Sequence, residues 1–279
     1  LDELTLQAVD LMIESGLSQS RSDAASQLIG IGVQHSGELL TRAKELAEKV
    51  RQLKDDMIQA VKSKDLQKVK QLLTDDATLV NAKNSSGETA VLMAAYYRAN
   101  DIKQLLVERG AELDLFEACA VGDVQRVHEL VEASPKSISN HNHEGYTPLG
   151  LASHFGNIEV VRLLLQNGAD VHQLSEDGKL NNTALHAAIA GNHQEVAELL
   201  LANGADVNSL CKGSLRSGFT ALHIAAYFGR LSIITLLLEQ GADSKTLNQA
   251  GQTAEDCARN RGHLEAAELL AKPRQASHK

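Results

Sequence analysis

The 279-residue sequence contains no tryptophan, three prolines, four phenylalanines and four tyrosines. So few aromatic residues beside so much leucine and alanine argue against a sandwich or barrel and favour helices. Its three cysteines, Cys119, Cys211 and Cys257, lie far apart and never approach a CxxC spacing. That excludes a zinc knuckle and a disulfide framework, and suits a reducing compartment. No apolar run approaches the ~18 residues of a membrane span. Asp2 and Glu3 stand where a secretory signal would carry positive charge, which predicts a soluble, cytoplasmic protein; Leu1 in place of Met suggests a trimmed start. Positive charge is also short, 27 basic against 36 acidic residues for a net charge of -9, which opposes broad binding to nucleic acid or anionic membrane and leaves room only for a local basic patch. Signatures of catalysis are missing too: no GxSxG, Walker loop, HExxH or glycine-rich nucleotide fingerprint occurs. The carboxylate pairs Asp55–Asp56 and Asp75–Asp76 are sequence neighbours, expected at a helix start and a helix end, and read as solvated faces or caps. The expectation is a protein that is not an enzyme and needs no cofactor or metal.

What the sequence does contain is repetition, and 279 residues suffice for one elongated array. "GYTPLGLASHFGNIEVVRLLLQNGADVH" (145–172), "NTALHAAIAGNHQEVAELLLANGADVN" (182–208) and "GFTALHIAAYFGRLSIITLLLEQGADS" (218–244) align without gaps, and residues 87–113 and 251–270 are weaker copies. Thr147, Thr183 and Thr220 stand where a helix begins, and a threonine hydroxyl there accepts a bond from an unpaired backbone N–H, worth ~1 kcal/mol. Pro148 is a first-turn proline. Small pairs such as Ala225–Ala226 allow close helix approach, and Gly156, Asn192 and Gly229 supply left-handed turns. In the second helix, Val160, Val161, Leu163, Leu164 and Leu165 are too continuous for one buried stripe. They must pack on the unit's own first helix and on the next unit.

These segments resemble ankyrin repeats, with their G-x-T-P-L-H-x-A-A start, their G-A-D-V-N end and a period of about 33 residues. The resemblance covers roughly Met57 to Ala271 and implies an all-α solenoid of about seven repeats, preceded by an amino-terminal helical segment. It also implies a structural role for His186 and His223, the histidines of the T-P-L-H pattern, which orient the turn by bonding the threonine and neighbouring backbone. His193 falls after the interhelix turn and so lies on a different helix from His186. His141 and His143 form an HxH with His154 downstream, a cluster that could hold a metal, but no carboxylate or cysteine completes a recognised spacing.

The array departs from its pattern in three places. Residues 57–76 lack T-P-L-H and read as a first, capping unit; the last unit carries Glu255, Asp256 and Arg259 where others bury apolar residues, as an end cap should. In the third unit, Arg98 to Gly122 spans 24 residues, nine short of the period, so one hairpin finger is expected to be missing, leaving a notch between the second and fourth units. The connections 172–182 and 208–218 are three or four residues longer than 244–251. They predict two lengthened fingers whose tips carry Asp177, Lys179, Lys212 and Arg216.

Seven of the eight aromatic rings recur at three repeat positions: Tyr146 and Phe219 before the threonine, Tyr96 and Tyr227 two before the turn, and Tyr97, Phe155 and Phe228 one before it. In ankyrin arrays such positions line the concave face. Rings there pack finger against helix, and they also concentrate binding energy. The candidate protein-binding set is therefore these seven with His154, Lys179, Lys212 and Arg216.

Residues 1–35 do not fit the repeat. "LDELTLQAVDLMIESG" reads as a helix ended by Gly16, and "SRSDAASQLIGIG" as a second whose Ser20 and Asp23 form a capping box. The pair resembles the helix–helix half of a ribbon-helix-helix domain, a chiefly prokaryotic family that dimerises and reads DNA through an amino-terminal strand. Here that strand would precede Leu1, so DNA contact by this chain is not expected. Residues 36–56 predict a long connecting helix whose Leu39, Ala43, Leu46, Val50, Leu53 and Met57 form an a/d seam. That seam suits either an extended cap on the first repeat or a parallel homodimer through residues 1–56. The division is then 1–35, 36–56, 57–271 for the repeats, and a polar tail 272–279. The sequence reads foremost as an interaction scaffold for a partner protein, with a DNA-associated regulator as the alternative.

Overall fold

A computed structural model describes residue 10, residues 21–84 and residues 87–272. Among these residues there are fourteen α-helices and no β-strand, only an isolated bridge between Lys83 and Thr89. The helices form seven pairs: α1 (Arg21–Lys62) with α2 (Leu66–Asp75), α3 (Ala90–Tyr96) with α4 (Asn100–Glu108), α5 (Leu115–Val121) with α6 (Val124–Ala133), α7 (Pro148–Phe155) with α8 (Ile158–Gln166), α9 (Ala184–Gly191) with α10 (Gln194–Ala202), α11 (Ala221–Tyr227) with α12 (Leu231–Glu239), and α13 (Ala254–Asn260) with α14 (Leu264–Ala271). First helices stack on first helices and second helices on second helices along the row.

The first helices are short because the sequence both starts and stops them. Thr89, Thr147, Thr220 and Thr253 accept the backbone N–H three residues on, and Asp114 does the same for α5. At the other end, Gly122, Gly156 and Asn192 adopt left-handed backbone with φ 88°, 78° and 70°. Arg98, without the glycine's freedom, does so at φ 53°. Between caps and turns, one continuous core runs from Met57 to Leu270. Its fully buried members, Leu164, Leu185, Ile189, Leu200, Leu222, Ile233 and Leu237 among them, each contribute about 1.5–3 kcal/mol. Every internal repeat draws this burial from both neighbours.

The expected missing finger is missing. Helix α4 ends at Glu108 and α5 begins at Leu115, with no hairpin between them. The last repeat ends in exposed Asp256, Arg259 and Arg261, as a terminal unit should.

Three expectations for the amino-terminal side need correction. The long helix begins at Arg21, not Ser36, and runs unbroken through Gly30, Gly32 and the repeat boundary at Met57 to Lys62. Without a proline or a capped break, two glycines cost about 1 kcal/mol each and do not end a helix of this length. Asp55 and Asp56 consequently sit in the helix interior, not at its start. Nor does the a/d seam lie along the first repeat: Met57 is fully buried and Leu53 packs on the core, but Val50 is 48% and Leu46 64% exposed. The helix parts from the array at about Leu53. The first helix of the ribbon-helix-helix resemblance, the Ser20–Asp23 capping pair and the tail after Lys272 lie outside the described residues.

Candidate functional site

The third position of each first helix decides how a finger is tied to it. In His186, Nδ1 accepts the Thr183 N–H (3.3 Å) and Thr183 Oγ1–H (2.8 Å), which leaves Nε2–H to donate to the Ser209 carbonyl in the following finger (3.1 Å). His223 repeats this with Thr220 (3.2 and 2.8 Å) and the Gln252 carbonyl (3.0 Å). Burial lowers both imidazoles, His186 to about 4, so each stays neutral in the tautomer its bonds require. Asp256 fills the position in the last repeat and accepts the Thr253 N–H (2.9 Å) and Oγ1–H (2.7 Å). In the fingerless third unit it is Glu117, which is buried. One oxygen accepts the Asp114 N–H (2.9 Å) and the other the Thr89 hydroxyl of the preceding repeat (2.6 Å). Glu117 thus makes from one side chain the tie that a finger provides elsewhere.

In the fourth repeat the position is Gly150, and nothing fills it. An apolar cleft of about 190 Å³ opens there, lined by Tyr96, Tyr146, Leu151, His154, Leu180 and Ala187. Ala190 adds a second small residue to the opposite wall. The T-P-L-G of residues 147–150 was the visible signal for this vacancy, and sequence reasoning passed over it.

The rings fall into two clusters on the face built by fingers and first helices. In one, Tyr96 of the second repeat meets Phe155 of the fourth edge to face at 5.1 Å, reaching past the small Ala120 of the third, and His154 meets Phe155 at 5.1 Å. In the other, Phe219 contacts His223 (5.4 Å) and Tyr227 (6.4 Å), and Tyr227 contacts Phe228 (5.1 Å). Tyr146 joins the first group as a wall of the cleft, whereas Tyr97 is 42% exposed. Burial, then Glu144, Tyr146 and Glu88, push the Tyr96 phenol well up. Burial and neighbouring His193 lower His154.

The two longer fingers are joined by their backbones. Lys212, Gly213 and Leu215 donate N–H bonds to the carbonyls of Asn181, Leu180 and Lys179 at 2.9–3.1 Å. Gly213 is required because a Cβ there would overlap the Lys179 carbonyl. The expected tip residues then separate. Lys179 and Lys212 are exposed. Asp177 turns inward, one oxygen accepting the N–H groups of Lys179 (2.7 Å), Leu180 (2.6 Å) and Asn181 (3.1 Å). Arg216 folds onto the second ring cluster, its guanidinium 4.9 Å from the Tyr227 centroid and 5.1 Å from Phe228. Arg230 and Arg261, which sequence reasoning did not single out, join it there.

The HxH residues are not assembled with His154. His141 Nε2 bonds the Leu174 carbonyl of the next finger (2.9 Å), and His143 is exposed. Among the described residues, no three of His, Cys, Asp and Glu come together so as to hold a metal ion. All three thiols are buried, and burial raises their pKa values, which keeps them protonated and unreactive.

Two family models match this stretch: one described as ankyrin repeats in three copies over residues 115–211, and one as ankyrin repeats in many copies over residues 185–238. These residues are ankyrin repeats. The all-helical stack around them is accordingly an ankyrin solenoid, with the unmatched pairs on either side built to the same plan. Several known proteins are similar over stretches of the chain. They include the transient receptor potential cation channel subfamily A member 1 homolog of Caenorhabditis elegans, 32% identical over 124 residues, 44% of this chain. The ankyrin repeat and SAM domain-containing protein 6 of Rattus norvegicus is 29% identical over 143 residues, 51% of the chain. Synphilin-1 of Mus musculus is 26% identical over 188 residues, 67% of the chain. The chain covers only 10%, 12% and 19% of those proteins' lengths, so the likeness is to a part of each. Among the described residues, no helix is long and apolar enough to cross a membrane.

Proposed function

We propose that this protein is a non-enzymatic interaction scaffold that holds a partner protein on the face made by its fingers and first helices. The cleft at Gly150 carries the reading. It is apolar, walled by two tyrosines and open where sister repeats are plugged by histidine, the kind of recess that seats one anchoring side chain of a partner. The test is Gly150→His. A Cβ at this position comes 2.9 Å from Thr147 Oγ1, which has to shift by a few tenths of an ångström to give the imidazole the place it has in the fifth and sixth repeats; the helix gains by losing a glycine, so the variant should be about as stable as the parent. Proteins captured from a lysate by the parent and lost by Gly150→His, at undiminished melting temperature, are the expected result. Full retention of every captured protein would refute the cleft as anchor.

We further propose that the chain pairs through α1. Leu46 and Val50 are exposed at heptad spacing on a helix that has left the array, and a parallel seam with a second copy would cover them.

A further inference from the structure

We infer that the end of this face formed by the sixth and seventh repeats docks an acidic, extended segment of the partner, its carboxylates seated on Arg216, Arg230 and Arg261. The inference deepens the partner-binding reading above and rests on it. The three arginines come from three separate elements: Arg216 from the finger between the fifth and sixth repeats, Arg230 from the turn after α11, and Arg261 from the turn after α13. They converge on two adjacent rings. Tyr227 has Arg216 at 4.9 Å and Arg261 at 4.4 Å from its centroid; Phe228 has Arg216 at 5.1 Å and Arg230 at 5.8 Å.

Attraction to an aromatic ring holds a guanidinium in place without using its N–H donors in conventional hydrogen bonds. Here those donors meet no carboxylate among the described residues, although Arg259 on α13 is paired with Glu255 at 2.8 Å, and Arg51, Arg126 and Arg162 each have a glutamate. The Arg230 Nε is buried without any hydrogen-bond partner among the described residues. In a chain with 36 acidic and 27 basic residues, three convergent arginines without acidic partners form a positive site in a negative field. Their side chains are already held, so a carboxylate binding there does not have to order them.

The other features of the face choose the occupant. The chain as a whole carries 36 acidic against 27 basic residues, and Glu88 and Glu144 stand beside Tyr96 at the opposite end of the face, so a uniformly charged polyanion such as nucleic acid would be repelled along much of its track. A peptide that is acidic only where it meets the sixth and seventh repeats suits both ends. The Tyr227 and Phe228 rings offer apolar contact to side chains between its carboxylates.

The full chain is titrated with a fluorescein-labelled dodecapeptide alternating glutamate and serine around one leucine, with its lysine counterpart, and with oligothymidylate of the same length. The glutamate peptide should bind, its affinity falling with added salt, and the other two should not. Arg216→Ala with Arg261→Ala should weaken it at least tenfold, the paired lysine substitutions by less, and Arg259→Ala should leave it unchanged. No binding of the glutamate peptide, equal binding to the double alanine variant with its circular dichroism intact, or preference for oligothymidylate would each overturn the inference. Captured proteins that survive the double alanine change but are lost with Gly150→His would sink this inference alone and leave the partner-binding reading standing.

Discussion

Removing the buried imidazole of His186 should change how stability responds to acid by about as much as it changes stability itself. The ring is completely buried, and burial lowers its pKa from 6.5 to about 4. The folded state therefore binds this proton less readily than the unfolded chain, and the penalty is absent above pH 6.5 and accumulates as the pH falls towards 4. At ~1.4 kcal/mol per pH unit the site alone costs about 2 kcal/mol at pH 5, and about 3.4 kcal/mol once the folded ring is protonated too. The variant His186→Gln forfeits the paired bonds to Thr183, about 1–3 kcal/mol at pH 7. It also has nothing to protonate, so its deficit against the parent should shrink by about 2 kcal/mol between pH 7 and pH 5. Urea unfolding of both proteins at the two pH values measures this. Hydrogen exchange of the amides of residues 184–191 reads the same quantity locally, since repeat arrays need not unfold in one step. A deficit that is the same at both pH values would refute the assignment of a neutral, buried His186. The parent itself should lose more than this single site accounts for, because burial lowers His223 in the same direction.

Other consequences are as direct. Glu117→Ala strips the Thr89 hydroxyl and the Asp114 N–H of their shared acceptor, and should cost about 1–3 kcal/mol in urea unfolding, with protection lost first in α3 and α5. Gly213→Ala forces the two long fingers apart; amides of residues 212–215 should exchange faster while those of α12 keep their protection. Asn157→Ala removes the amide that caps the Cys119 and Ala120 carbonyls at 2.8 and 3.0 Å, and should lower stability by about 1 kcal/mol in the same assay. Leu46→Glu with Val50→Glu should convert a dimer to a monomer in light scattering at unchanged melting temperature of the repeats; an unaltered mass in which the parent is already monomeric would remove the seam as an interface.

The repeat architecture was legible because it is written locally. Threonine caps, left-handed turn residues and two-sided apolar helices recur at fixed spacing, and each has one structural meaning. The loss of a finger was equally legible as a shortfall in residue count. Less visible was what takes the finger's place: Glu117 reads as an ordinary helix residue until the fold sets it 2.6 Å from Thr89, 28 positions earlier in the chain. Gly150 carried a signal in the pattern itself, but a vacancy has meaning only once the walls around it, Tyr96 and Ala187 among them, are known to converge. Arg216 illustrates the opposite failure. Its place in a loop suggested an exposed tip, whereas attraction to two aromatic faces draws it inward. The start of α1 was misplaced because Gly30 and Gly32 resemble a stop signal, yet a helix this long absorbs them.

The backbone bonds between fingers have a mechanical result. They run from the Gly145 carbonyl through Glu176, across the residue 178–181 and 212–215 segments, to the Gln249 N–H and the Ser217 carbonyl. Everything from the fourth repeat onward is laced along this edge like the slats of a blind, and force applied at one slat is shared by the rest. The lacing stops where the finger after α4 is absent, and across that joint the load passes instead through the Thr89–Glu117 bond and the Tyr96–Phe155 contact.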